Sequence, residues 1–225
     1  MRKKDLRKER RRHRIEENKI SILQAAEKIF ALKGYSLATM DDIAEEAQFS
    51  KATLYKYFKS KREMFLEIIY SSFEEMHQKM TRIQQKEMSA EKKLKELIRY
   101  ISSYYHKKRN IGRIFMMEKA AVRKILSGSS KEQPGPSFPH PPIPAYFRAK
   151  MEEIFNIMCD IISEGVKTGE FRKVDVKEAC FVLGAMIRGF HFRGPIPRHK
   201  DYSIAESTDL LHDFFFYGIK GPRKV

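Results

Sequence analysis

Apolar residues first recur with a helical period at Ile22, Ala25, Ala26, Ile29 and Phe30, and the run stops at Lys33 and Gly34, a cation followed by a C-terminal glycine. Thr39 then precedes Asp42 by the spacing of a capping box, and Met40, Ile43, Ala44 and Ala47 follow at i, i+3, i+4 and i+7. Gln48 and Phe49 leave a tight connection before Ser50, a good N-cap for a third helix over 51–58. Two short helices joined by a turn of about three residues have helix-turn-helix spacing.

Beyond them, Phe65, Ile69, Phe73, Met76 and Met80 predict one long helix to about residue 85. Ser89 caps a further helix carrying Leu94, Leu97, Ile98, Ile101 and Tyr105, and Ile111, Ile114, Phe115 and Ala121 continue in another. The segment SGSSKEQPGPSFPHPPIP, residues 127–144, holds six of the nine prolines and can be neither helix nor central strand. It reads as a surface loop, with a lid over a pocket or a partner-binding segment as the alternative.

Phe147, Met151, Ile154, Phe155, Met158, Ile162 and Val166 then predict a helix ended by Gly169. Asp175 with Glu178, and Ser203 with Glu206, open two last helices by capping spacing. The first of these carries Ala179, Leu183, Met186, Ile187 and Phe190, the second Leu210, Leu211, Phe214 and Phe215, and this apolar surface is wide for one face. The expected fold is all-α: a three-helix unit over 20–61 and a larger helical domain over 62–225. Residues 1–19 carry ten Lys or Arg against four acids with no apolar period, and read as a basic arm. That arm is either a solvated tail, or unpacked first turn of a helix, or a nucleic-acid-binding segment.

Composition narrows the partner. The 225 residues can bury a sizeable core, and 45 basic against 29 acidic residues give +16, an excess that suits an anionic partner such as nucleic acid or a membrane surface. No stretch approaches the roughly 18 consecutive apolar residues that span a bilayer, and the N-terminus lacks the apolar run of a secretory signal, so a cytoplasmic protein is expected. Cys159 and Cys180 lie in apolar helical patterns without C-x-x-C spacing and read as buried thiols; no metal or cofactor is expected.

On the wheel of 51–58, Leu54 and Phe58 form a narrow inward seam. Ala52, Thr53 and Lys56 point away from it, with Lys51, Tyr55 and Tyr57 on its flanks. Hydroxyls and amines of this kind suit phosphate oxygens and base edges, and a small Ala lets a helix approach closely. Lys59, Lys61 and Arg62 add charge at the head of the next helix, whose first N–H groups favour a phosphate. The bland alternative is half-buried tyrosines beside a solvated lysine face.

The ordered set T-M-D-D-I-A, S-K-A-T-L-Y-K-Y-F and S-K, within residues 20–65, resembles the DNA-binding domain of the TetR family of bacterial transcriptional regulators. It departs at Gln48, where that family often has Gly, and at Phe49 and Ala52, where Val and Gly are frequent. The resemblance implies that Thr39 and Tyr55 contact phosphate and that Lys61 is a backbone anchor. It implies that Ser50, Lys51, Ala52, Thr53, Lys56 and Tyr57 face the major groove or its edges. It also implies that the last two helices pair with their copies in a homodimer, with Leu183, Ile187, Phe190, Leu211, Phe214 and Phe215 as candidate interface residues.

A small-molecule effector between the helices is the further implication, with Tyr104, Tyr105, Met116, Met117, Phe155, Met158, Phe181 and His191 as candidate lining; a stripe of such residues is also what a core looks like. Residues 1–61 carry net +7 and residues 62–225 net +9, so an apolar or an anionic effector, such as a fatty acyl thioester, is open. The expected function is a ligand-responsive repressor that binds a palindromic operator on double-stranded DNA. The rivals are non-specific binding to nucleic acid or a membrane surface and, last, an enzyme, for which the chain shows none of G-x-x-x-x-G-K-[ST], G-x-S-x-G or H-E-x-x-H.

Overall fold

The computed structural model describes residues 3–108, 145–191 and 201–219, and all regular structure among them is helical. The described helices are α1 (Lys3–Lys33), α2 (Met40–Glu46), α3 (Lys51–Tyr57), α4 (Lys61–Gln84), α5 (Ala90–Lys107), α6 (Ala145–Thr168), α7 (Val176–His191) and α8 (Ile204–Ile219). The helical period at Ile111 to Ala121 and the proline-rich segment 127–144 lie outside the described residues. The chain divides into two compact units, and α4 belongs to the first as far as Ser72 and to the second from Phe73.

The first unit closes on α1 residues Ile22, Ala26 and Phe30 packed with Ile43 of α2, Leu54 of α3 and Phe65 of α4, all at most 1% exposed. Three rings lock the connection between α1 and α2: Phe30, Tyr35 and Phe65 have centroids 5.2–5.9 Å apart, in tilted and edge-on pairs. Gly34 ends α1 in the left-handed region at φ 81°, as the Lys-Gly pair predicts. The basic arm takes the helical alternative: residues 3–19 are the first turns of α1, exposed throughout 7–17. Lys, Arg and Glu are strong helix formers, so this stretch extends α1 without an apolar face to bury.

The second unit packs α5 against α6, α7 and α8 around Leu94, Leu97, Ile98, Ile161, Ile162 and Leu183. The carboxylate of Glu170 receives the N–H of Ala90 and of Glu91 at 3.3 and 3.0 Å, so it caps α5 from the segment after α6. The buried Lys93 ammonium donates to both carboxylate oxygens of Glu164 on α6, at 2.8 and 2.9 Å. Gly165 lets α6 meet Phe171, because a Cβ there would sit 2.3 Å from the ring. Reciprocal hydrogen bonds between Ser203 and Glu206 start α8, as their spacing predicts. Cys180 is fully buried, and burial, then the neighbouring Cys159 thiol, pushes its pKa up, so it stays a protonated core group.

Candidate nucleic-acid interface

The first unit holds α3 as a short, rigid presentation element. Its N-cap Ser50 accepts from the N–H of Thr53 at 3.1 Å, and Leu54 and Phe58, 0% and 4% exposed, anchor its inner side. Before it, Gln48 stands at φ 58°, the left-handed conformation that Gly adopts at least cost. The departure from Gly at this position therefore leaves the turn geometry intact at a small conformational cost.

α2 is fixed against α1 by ion pairs from Lys28 to Glu46 at 2.6 Å and from Lys33 to Asp42 at 2.7 Å. The hydrogen bond from Lys33 and those from Thr39 lower the Asp42 carboxyl to about 2, so it stays ionised in the capping box. Thr39 uses its oxygen to accept from Asp42 N–H, which leaves its own exposed O–H as a donor.

The outward residues divide by what they already hold. Ala52, Tyr55 and Lys56 are exposed, and Tyr55 and Lys56 make no hydrogen bond among the described residues. They are available to an incoming surface. Thr53 shares a 2.8 Å hydroxyl–hydroxyl bond with Ser50. Lys51 on α3 pairs with Asp41 on α2 at 2.8 Å, and that hydrogen bond raises its pKa. Tyr57 turns its hydroxyl to the side chain amide of Asn18 on α1, at 2.8 Å. Neither Asp41 nor Asn18 carries a spacing signal; only the packing of three helices brings them to α3.

Lys61 is engaged within the protein. Its ammonium donates to the carbonyls of Tyr35, Ser36 and Ala38 at 2.8, 3.1 and 2.8 Å, and lies 4.7 Å from the centroid of the Tyr35 ring. Three donors meet three backbone acceptors, so this lysine ties the α1–α2 connection to the head of α4. The head of α4 is also filled from within: Ser60 accepts the N–H of Glu63, and the Glu63 carboxylate accepts that of Lys59 at 2.6 Å.

In the second unit, the residues expected at a homodimer interface differ in exposure. Leu183, Ile187, Leu211 and Phe215 are 0–4% exposed and belong to the unit's own core. Phe190 is half-buried against the same core, while Phe214 is 71% exposed. The outward apolar side chains of α7 and α8 are instead Phe181, Val182, Phe214 and Tyr217. Both helices are apolar nearly all round, so period alone does not say which face is covered.

Of the expected effector-lining residues, Phe181 is 62% exposed and stands apart from the core that Tyr104, Tyr105, Phe155 and Met158 join. Tyr104, Tyr105 and His191 run as a ring series from the end of α5 to the end of α7, with Tyr105 stacked on His191 at 5.7 Å. Phe155 and Met158 of α6 join the same core, and Met116 and Met117 lie outside the described residues. Next to the series, burial pushes the hydroxyl pKa of Tyr100 up, and Tyr100 Oη has no hydrogen-bond partner among the described residues.

This arrangement, two helices crossing a tight turn with the second presenting a polar outer face, defines a helix-turn-helix protein. Residues 22–68 match the bacterial regulatory proteins of the tetR family. Over 54 residues it is 46% identical to the uncharacterized regulator YfiR of Bacillus subtilis, covering 24% of this chain and 26% of that protein. Over a further 54-residue match it is 41% identical to the transcriptional activator FasR of Mycolicibacterium smegmatis. The chain thus aligns with about a quarter of the length of these curated relatives. The whole fold is similar to a provisionally named fatty acid metabolism regulator of Clostridium perfringens, with 25% identity and a TM-score of 0.67 over 90% of this chain and 100% of that one. The regulator FadR of Bacillus subtilis, solved in complex with stearoyl-CoA, is 21% identical with a TM-score of 0.64 over 89% of this chain and 98% of that one. Among the described residues no helix is long and apolar enough to cross a membrane.

Proposed function

We propose that this protein is a cytoplasmic, non-enzymatic transcriptional regulator that binds a palindromic DNA operator as a homodimer and changes its affinity on binding a small molecule. The observation that carries the reading is the exposed face of α3, where Ala52, Tyr55 and Lys56 stand clear of the core while Leu54 and Phe58 fix the helix beneath them. Ala52 permits close approach to the groove, Lys56 and Tyr55 supply donors for phosphate or base edges, and Thr39 adds a hydroxyl at the head of α2. Lys51, Thr53 and Tyr57 are held by Asp41, Ser50 and Asn18, and reach DNA by exchanging or sharing those partners. With no Arg or Asn on α3 to form a bidentate pair with guanine or adenine, shape and phosphate positioning carry much of the recognition.

Two half-sites about one helical turn apart require two copies. The exposed Phe181, Val182, Phe214 and Tyr217 are the apolar surface that supports a homodimer through α7 and α8. For the effector, the fatty acid names of similar structures and the stearoyl-CoA bound to one of them support an acyl thioester or another long apolar anion. The unpartnered Tyr100 hydroxyl, buried beside the ring series, is a donor such a guest would use. Binding would favour one spacing of the two recognition helices over another, by the difference in its affinity for the two states.

The test is selection of duplexes from random-sequence DNA by the full chain at physiological salt with excess competitor. A recovered palindrome bound by two chains, and released or tightened by an acyl-CoA, fits this reading. Recovery of no preferred sequence means charge-driven binding only, and the reading fails.

A further inference from the structure

We propose that Arg7, Arg11 and Arg14, on the exposed N-terminal turns of α1, make a second contact with DNA by gripping the sugar-phosphate backbone outside the segment that α3 reads. This rests on the DNA-binding reading above and extends its footprint. Residues 7, 11, 14 and 18 follow one another at helical i, i+4, i+7 and i+11, so the three arginines share one stripe of α1 with Asn18. Asn18 is the residue whose amide donates to Tyr57 of α3 at 2.8 Å, so the stripe rises from the side of α1 that faces the recognition helix. At about 1.5 Å of rise per residue, Arg7 stands roughly 16 Å along the axis beyond that contact.

The charge on these turns is sorted by face. Glu9 and Glu16 fall roughly opposite the stripe, by a helical repeat of about 100° per residue, and Glu17 faces His13 at 3.8 Å on the flank. None of the three arginines has an ion pair among the described residues, and all are exposed. Arg7 with Arg11 and Arg11 with Arg14 are like-charge neighbours on a helix surface, an arrangement that weakens a free helix and that a polyanion relieves. A bilayer is the poorer partner, because Ile15 is the only large apolar residue between positions 7 and 17, too little for an interfacial helix. The planar guanidinium forks match phosphate oxygens, and the continuity with α3 commits them to the same duplex.

The experiment compares the full chain with two triple variants of equal charge. Arg7→Gln/Arg11→Gln/Arg14→Gln removes the stripe; Lys8→Gln/Arg12→Gln/Lys19→Gln removes the same charge from a stripe about 100° away. Binding to a fixed random-sequence duplex and to any selected operator is followed against salt, with hydroxyl-radical protection of the backbone. The stripe variant should lower the slope of log affinity against log salt by about two to three, near 0.9 for each phosphate lost, and should lose protection outside the half-sites. The control should change the slope by less than half as much, with helical content alike in all three proteins. Equal slopes for the two variants, or unchanged protection, overturn the proposal. So does loss of binding to anionic vesicles with DNA slope unchanged, which would assign the stripe to membranes. Because the random duplex reports phosphate contacts without an operator, failure of sequence preference and failure of the arginine stripe are read separately.

Discussion

In the first unit the residues of the recognition face fall between Thr39 and Tyr57, on two helices of seven residues and the turns beside them. In the second, the candidate contacts come from α5, α6, α7 and α8, helices of 16 to 24 residues, and α7 and α8 carry apolar side chains on exposed as well as buried sides. A short helix with two buried anchors has its outward face fixed by elimination. A long helix that is apolar nearly all round does not, and its exposed side is decided by which neighbour covers the rest.

The sharpest test of that contrast is on α7 and α8. Phe181→Asp with Phe214→Asp should leave the protomer folded and shift it from dimer to monomer, raising the dissociation constant by about 100-fold or more, as for central interface aromatics. Sedimentation at several concentrations would measure this. Leu183→Asp, two positions along from Phe181, should instead unfold the second unit, because it places a carboxylate at a position 0% exposed. If the Leu183 variant stays folded and monomeric, the assignment of faces is reversed.

The recognition face should respond next most strongly. Tyr55→Phe with Lys56→Glu removes a donor and reverses a charge without touching the core, so operator affinity should fall by about 30- to 100-fold, at roughly 1–3 kcal/mol for each contact. Thermal unfolding should be unchanged, since both side chains are exposed. A large shift in the unfolding midpoint would mean that these residues hold the fold, and the bland reading of α3 would stand.

How far each unit is legible in sequence follows from the same contrast. Thr39–Asp42, Ser50–Thr53 and Ser203–Glu206 are caps whose spacing predicts their hydrogen bonds, and Gly34 and Gly169 end helices where positive φ is needed. These are local rules. Gln48 is the instructive exception, a non-glycine at φ 58° whose left-handed turn its own identity does not announce. Asn18 against Tyr57, Asp41 against Lys51, and the Lys61 clamp on the α1–α2 connection join residues 10 to 39 positions apart. They depend on how helices cross, which hydrophobic period does not encode.

Lys61 supplies a prediction of middle size. Lys61→Ala strands three backbone carbonyls at the α1–α2 connection, a loss of about 2 kcal/mol in the stability of the first unit. Operator affinity should follow the folded fraction, and Lys61→Arg should restore part of it. A phosphate anchor would behave otherwise: Lys61→Ala would then leave the unfolding midpoint in place and lower the salt slope by about one.

The smallest effect should come from Asp41, and its sign is what matters. In the free protein Asp41 holds the Lys51 ammonium at 2.8 Å, on a helix that the proposed function brings against phosphates. The two side chains are 49% and 68% exposed, so the pair contributes little to stability and can open readily. Asp41→Asn should therefore leave the unfolding midpoint nearly unchanged. It removes a negative charge beside the recognition face and frees Lys51, so affinity for any duplex should rise about two- to fivefold and the salt slope should steepen by about one. Because the gain is independent of sequence, the ratio of operator to random-sequence affinity should fall or stay level. Asp41 would then act as a brake on non-specific binding, keeping one lysine of α3 occupied until a duplex fits. If Asp41→Asn weakens operator binding instead, the ion pair serves to aim Lys51, and the engaged residues of α3 would have to be counted as prepared contacts.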